Sequence, residues 1–190
     1  RSIADLRARG KRVVFYPFIM MDVPANNGLP DPHGASQQAV YPWRGRITGI
    51  GDKTGAVTAQ VASLVGTALP SQFAVSGAEV VYSGPVEWSL RRMVLHYAKL
   101  CVLAGGVDGF LIGSELRGLT TLRNSATGYP FVAALVQLAA DVKAMLPGAK
   151  VSYAADWSEY FGHHPADGTG DVFFHLDPLW ASPDVDYIGI

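Results

Sequence analysis

At 190 residues, 49% hydrophobic and only 16% charged, the chain has the composition of a well-buried globular domain without a disordered tail. A formal charge of −1 provides no basic field to hold nucleic acid or an anionic membrane, and no apolar run approaches the roughly 20 residues that span a bilayer. The length suits a single domain over residues 1–190 and falls short of the roughly 250 residues typical of a complete (β/α)₈ barrel.

Residues 1–10 read as a short helix and not as a signal peptide, because they lack the apolar core of one. The continuous run from Arg12 to Met21 then suits a parallel strand covered on both faces. Pro17 cannot donate to a ladder, so that strand is expected to end near Tyr16. A long Gly-, Pro-, Asn- and Asp-rich segment follows, with a helix expected near residues 55–69. Pro85 is expected to open the next helix. Val86, Leu90, Met93, Val94, Tyr97, Cys101 and Ala104 form its apolar stripe, while Glu87, Arg91, Arg92 and Lys99 take the other side. Cys101 is the single cysteine, so no internal disulfide can form, and its place on this stripe makes it a core residue rather than a nucleophile.

A second buried strand is expected over Val107–Gly113, a helix over Pro130–Leu146, a third strand over Lys150–Ala155 and a fourth over Val185–Ile190. Strands alternating with helices imply right-handed βαβ units and a parallel sheet. The chain starts in a helix without methionine and stops in an apolar run, as expected of a piece of a longer polypeptide.

Neither G-x-G-x-x-G nor G-x-x-x-x-G-K-[ST] follows a strand, which disfavours a nucleotide site. Carboxylates and aromatics gather at the strand ends instead: Asp22, Glu115, Asp156-Trp157 and His175-Leu176-Asp177. In α/β folds these ends face the active site. Acidic groups among aromatic rings suit a sugar site, where rings stack on pyranose faces and carboxylates move protons.

Phe110-Leu111-Ile112-Gly113-Ser114-Glu115-Leu116 resembles the end of the fourth strand in clan A glycoside hydrolases, and Trp43-Arg44-Gly45 resembles a Trp-Arg-Gly of their β-mannanase-like branch. A narrower resemblance covers essentially the whole chain. Tyr16-Pro17-Phe18-Ile19-Met20-Met21-Asp22, Leu29-Pro30-Asp31-Pro32, Pro42-Trp43-Arg44-Gly45-Arg46-Ile47, Glu87-Trp88-Ser89, Gly113-Ser114-Glu115-Leu116-Arg117-Gly118-Leu119 and Ala155-Asp156-Trp157-Ser158-Glu159-Tyr160 are similar, in order and spacing, to the TIM-barrel-like domain of phage host-specificity proteins and gene transfer agent tails. The resemblance implies an α/β fold, a partial (β/α)₈ TIM barrel comprising strands three to six, with two strands before Arg1 and two after Ile190.

By that resemblance Glu115 takes the catalytic acid/base position, with Trp43, Arg44, Ser114, Asp156 and Trp157 as substrate-binding candidates. The nucleophile of such enzymes ends strand seven, so the fragment alone is expected to be inactive, and the intact protein to be a retaining glycoside hydrolase if it is an enzyme at all. Ser114 stands where clan A enzymes usually carry asparagine, which leaves substrate choice open.

Each candidate has a plainer reading. Glu115 suits a first-turn carboxylate after an N-cap Ser114, Asp156 an Asx turn or cap, Trp157 a cover for the barrel top, and Trp43–Arg44 a structural stack. His175 and Asp177 read as a hydrogen-bonded structural pair, too few ligands for a metal, and His163-His164 as an exposed loop. No metal or cofactor is expected.

The function expected is a glycoside hydrolase-like module that hydrolyses or recognises a bacterial surface polysaccharide or peptidoglycan glycan. It would sit in the tail of a phage-like particle or gene transfer agent made in the bacterial cytoplasm, beside other tail proteins. A non-catalytic carbohydrate-binding module and a purely structural tail domain remain the alternatives. Neither nucleic acid nor membrane is an expected partner, and exposed strand edges are expected to let the fragment self-associate.

Overall fold

In the computed structural model, which describes residues Arg1–Ile190, the apolar run Gly109–Ser114 becomes the centre of a parallel sheet, whereas the Arg12–Met21 run, expected to be covered on both faces, gives only a two-residue edge strand with Val14 61% exposed. In chain order the elements are α1 (Ser2–Ala8), β1 (Val14–Phe15), α2 (Ala56–Val65), β2 (Phe73–Ser76), β3 (Glu79–Tyr82), α3 (Leu90–Leu103), β4 (Gly109–Ser114), α4 (Arg117–Thr120), α5 (Pro130–Met145), β5 (Lys150–Ala154) and α6 (Asp177–Trp180). The main sheet has the order β1-β4-β5, with both pairings parallel. It is open: an α/β sheet that fits part of a TIM barrel, not a closed one.

The central strand β4 is buried almost throughout, and Phe110 and Ile112 have no exposed surface. Val94, Leu95, Ala98 and Cys101 of α3 share its core with Leu135, Leu138 and Val142 of α5 and with Val151 and Tyr153 of β5. Burial pushes the Cys101 thiol up to about 12, as befits a core residue. Asp108 Oδ2 accepts the Val13 N–H at 2.7 Å, which ties the starts of β1 and β4 together.

Three expectations are corrected. The helix α3 begins at Leu90, not Pro85, because Ser89 Oγ caps it by accepting the Arg92 N–H at 3.2 Å, leaving Val86 outside and 95% exposed. On that helix Arg91, assigned to the polar side, is buried. It donates to Ala68 O at 2.9 Å and pairs with Asp141, so its charge is satisfied inside.

The Val185–Ile190 run is not a regular strand. It lies beside β5 through one parallel bridge, Ala154 to Gly189, and through the Asp186 N–H, which donates to Val151 O at 2.8 Å; side chains supplement this sparse ladder. Asp186 Oδ2 accepts the Val151 N–H at 2.7 Å, and Ser152 Oγ donates to Tyr187 O at 2.6 Å.

An antiparallel hairpin, β2–β3, was not expected. Its two-residue turn, Gly77-Ala78, places Gly77 at φ +60°, the conformation a type II′ turn needs at its first central position.

Candidate active site

The chain leaves β4 through Glu115, whose backbone stands at φ +52°. For a residue with a Cβ, a left-handed conformation costs on the order of 1–3 kcal/mol and persists only where the surroundings enforce it. Here Glu115 donates its own N–H to Ala154 O at 2.9 Å, and the next N–H, of Leu116, donates to the buried Tyr153 hydroxyl at 2.7 Å. Both partners belong to β5, so the sheet itself holds the turn. The consequence is a carboxylate aimed away from the direction the strand would have given it.

Seventy residues earlier in the chain, a single turn of 3₁₀ helix at Arg44–Arg46 brings the other half of the site. This segment docks on α4 by close backbone approach. A Cβ on Gly118 would meet Gly45 O at 2.8 Å and Ile47 O at 2.6 Å, and Thr48 Oγ1 donates to Gly118 O at 2.8 Å. Only glycine fits at that crossing.

Trp43 then donates its indole N–H to Glu115 Oε2 at 2.7 Å, and the Arg44 guanidinium lies 3.4 Å from the same oxygen. Arg44 is buried, donates to Ser114 Oγ and to the Tyr16 hydroxyl at 3.2 Å each, and stacks 3.8 Å from the centre of the Phe18 ring. Tyr16 and Ser114 share a hydrogen bond of their own. Burial raises the Tyr16 hydroxyl, with Arg44 pulling the other way and the charge of Glu115 adding to the rise.

Four of the residues singled out in the sequence, Trp43, Arg44, Ser114 and Glu115, thus meet in one cluster, joined by Tyr16 and Phe18. Arg44 and Ser114 spend their polar atoms inward, on one another, Tyr16 and Glu115, and so support the carboxylate more than they face outward. Trp43 lays its ring against Gly45 and remains 40% exposed. All hydrogen bonds to the Glu115 carboxylate fall on Oε2, which leaves Oε1 open on a side chain 36% exposed.

Asp156 and Trp157 leave the sheet at the end of neighbouring β5 but share no hydrogen bond, ion pair or ring contact with that cluster. Asp156 Oδ1 accepts the Ser158 N–H at 3.0 Å as a turn cap. Trp157 is 69% exposed and stands edge-on to Phe161.

A residue the sequence reading passed over lies beneath them. Glu159 is buried and accepts from the Thr120 hydroxyl, from the Asp156 N–H at 2.8 Å and from the Tyr153 hydroxyl at 3.4 Å. Burial raises its pKa against the pull of those bonds. Since Tyr153 also receives the Leu116 N–H, one buried network ties the Glu115 turn to the Asp156 turn. The capping pattern Asp-x-x-Glu over Asp156–Glu159 was the available signal.

His163 and His175 correct two further expectations. His163 is half-buried rather than on an exposed loop, and accepts or donates at Nδ1 with the Tyr129 hydroxyl at 3.0 Å. His175 is buried and makes no hydrogen bond to Asp177; its Nδ1 lies 3.4 Å from Phe173 O. No group of three or more His, Cys, Asp or Glu side chains is placed to hold a metal ion, and no helix is long and apolar enough to cross a membrane.

A parallel βαβ sheet that carries a strained glutamate at the carboxyl end of its central strand fits part of a TIM-barrel-like domain, whose sites lie at that end. More narrowly, the chain belongs to the GTA TIM-barrel-like domain family, whose model matches residues 88–190, just over half of the sequence. That assignment makes it a gene transfer agent module. The matched stretch includes Glu115, Asp156 and Glu159; Trp43 and Arg44 precede it. No curated protein matches the sequence.

Proposed function

We propose that the domain engages a bacterial surface glycan at the Glu115 cluster, as a clan A-like glycoside hydrolase module of a tail host-specificity protein, its four strand positions corresponding to strands three to six of a full barrel. The observation that supports this best is the strained, Trp43-anchored Glu115 with one carboxylate oxygen left open. A general acid must present a proton within hydrogen-bond reach of the leaving oxygen, and a carboxylate pinned through Oε2 keeps Oε1 free for that contact. Trp43, 40% exposed beside it, supplies the stacking surface a sugar needs.

In the catalytic form of this reading, Glu115 protonates the leaving glycosidic oxygen and later removes a proton from water. A retaining mechanism needs a second carboxylate about 5–5.5 Å away to attack the anomeric carbon, and no second carboxylate joins the Glu115 cluster. The reading therefore assigns the attacking group to another part of the intact protein. That single-carboxylate cluster also favours a second reading, a barrel that grips its glycan without cleaving it.

Titrating purified bacterial surface polysaccharides and peptidoglycan fragments into the chain tests the shared claim. Saturable binding that falls at least tenfold in Trp43→Ala and Glu115→Gln supports a glycan site here. Binding unaffected by both substitutions, or no binding to any glycan, refutes it.

A further inference from the structure

A large groove, distinct from the Trp43–Arg44–Glu115 cluster, lies between α3, the β2–β3 hairpin, α4 and the segment after β1. It encloses about 880 Å³, and 12 of its 15 lining residues are hydrophobic. That volume is within the roughly 300–1,000 Å³ of small-molecule sites. Its polarity is graded. Among its lining residues Leu90 and Leu116 are buried, Ile19 and Val80 are half-buried, and Trp88, 92% exposed, marks its exposed end.

Arg92 sits at that exposed end, its guanidinium carbon 4.7 Å from the ring centres of both Tyr82 and Trp88. It donates once, to Glu87 O, and no carboxylate pairs with it. No Asp or Glu lines the cavity at all. His96, the other titratable base there, is held below its ordinary pKa by burial and by Arg92, so it is neutral at pH 7. Arg92 is therefore the single formal charge of an otherwise apolar groove.

We infer that this groove binds an anionic amphiphile, with its alkyl chain against Leu90 and Leu116 and its headgroup on Arg92. The aromatic rings of Tyr82 and Trp88 hold the guanidinium flat and leave its outer N–H donors for an oxyanion, the geometry that favours arginine over lysine at such sites. The apolar end supplies affinity in proportion to chain length, and the charged end selects the sign of the headgroup. The inference is independent of the glycan reading, because it uses neither the Glu115 carboxylate nor Trp43, Arg44, Ser114 and Tyr16 around it; Leu116 alone adjoins Glu115 in sequence.

Isothermal titration of the 190-residue chain with octanoate, decanoate and dodecanoate, each below its micelle concentration, tests it. One site per chain is expected, tightening roughly fourfold for each added methylene, with dodecyltrimethylammonium binding at least tenfold more weakly than dodecanoate. Arg92→Gln should erase that headgroup preference and keep the dependence on chain length, with circular dichroism confirming the fold. Should that variant unfold, the headgroup comparison on the unaltered chain still decides. Equal affinity for both headgroups, many weak sites, no dependence on chain length or no binding each overturn the inference. So does a dimer, dissociated by Trp88→Ala, in a chain that takes up no amphiphile, since a second copy would then be the occupant.

Discussion

The indole of Trp43 donates its N–H to Glu115 Oε2 across 2.7 Å and 72 residues of sequence. That bond fixes one carboxylate oxygen and leaves the other open, on a residue whose backbone is already strained at φ +52°. Strain held at a solvent-reached carboxylate is characteristic of functional positions.

A stability measurement separates that role from a purely structural one. Glycine adopts positive φ without penalty, so Glu115→Gly should leave unfolding free energy unchanged or raise it by about 1 kcal/mol. Arg44 keeps Ser114 and Tyr16 as partners in that variant. A loss of stability in urea unfolding would mean that Glu115 is structural and that its strain is balanced by the ion pair with Arg44.

Asp186 is the clasp between β5 and the residues beyond it. Burial works against its ionised form, but Lys143, the Val151 N–H and Lys150 outweigh it and hold the carboxyl down at about 2. An unfolded aspartate titrates near 3.9, so this stabilisation is complete above about pH 4 and is lost as pH falls from about 4 to 2. Asp186→Asn should cost about 1–3 kcal/mol at pH 7, and the difference from the unaltered chain should vanish near pH 2. A difference that persists there would contradict the assignment.

Glu159 gives the opposite sign. Its folded pKa is raised by burial, so its contribution is fully present below the unfolded value of about 4.3 and declines as pH rises through the folded value. Glu159→Gln, which carries no charge, should remove that decline. Stability curves of the two proteins that run parallel from pH 4 to 8 would show that Glu159 does not titrate differently on folding.

The parts of this architecture that were legible in the sequence are those fixed by burial on both faces. Phe110-Leu111-Ile112 has no reading other than a covered strand, and the stripe of Val94, Ala98 and Cys101 has none other than a core helix. Glu115 was legible as a strand-end carboxylate, but its positive φ was not, because it is imposed by Ala154 and Tyr153 from another strand. The Trp43–Glu115 bond escaped for the same reason: nothing local to either residue encodes a contact made through Gly45 and Gly118. Arg91 misled because a long side chain on the polar side of a helical wheel can still reach buried acceptors. The hairpin was missed although Gly77-Ala78 between two short β-forming runs, Phe73–Ser76 and Glu79–Tyr82, signalled it.

The open sheet carries its own expectation. β1 is paired on one side only, and Val14 there is 61% exposed, as are Ile188 and Ile190, at 63% and 64%, beyond β5. Unpaired edges with few charges template association. Sedimentation across a dilution series should therefore show concentration-dependent self-association. A monomer at every concentration would exclude it.

The central claim, that Glu115 handles protons at a glycosidic bond, meets its most direct test in the intact parent protein. Initial rates on a glycan with a poor leaving group and on an activated aryl glycoside would be compared for the unaltered protein and Glu115→Gln. General acid catalysis supplies roughly 10²–10⁴-fold, so the substitution should lower the first rate by about that factor and the second far less, since an activated leaving group needs little protonation. Equal losses on both substrates, or no hydrolysis by either protein, would contradict it.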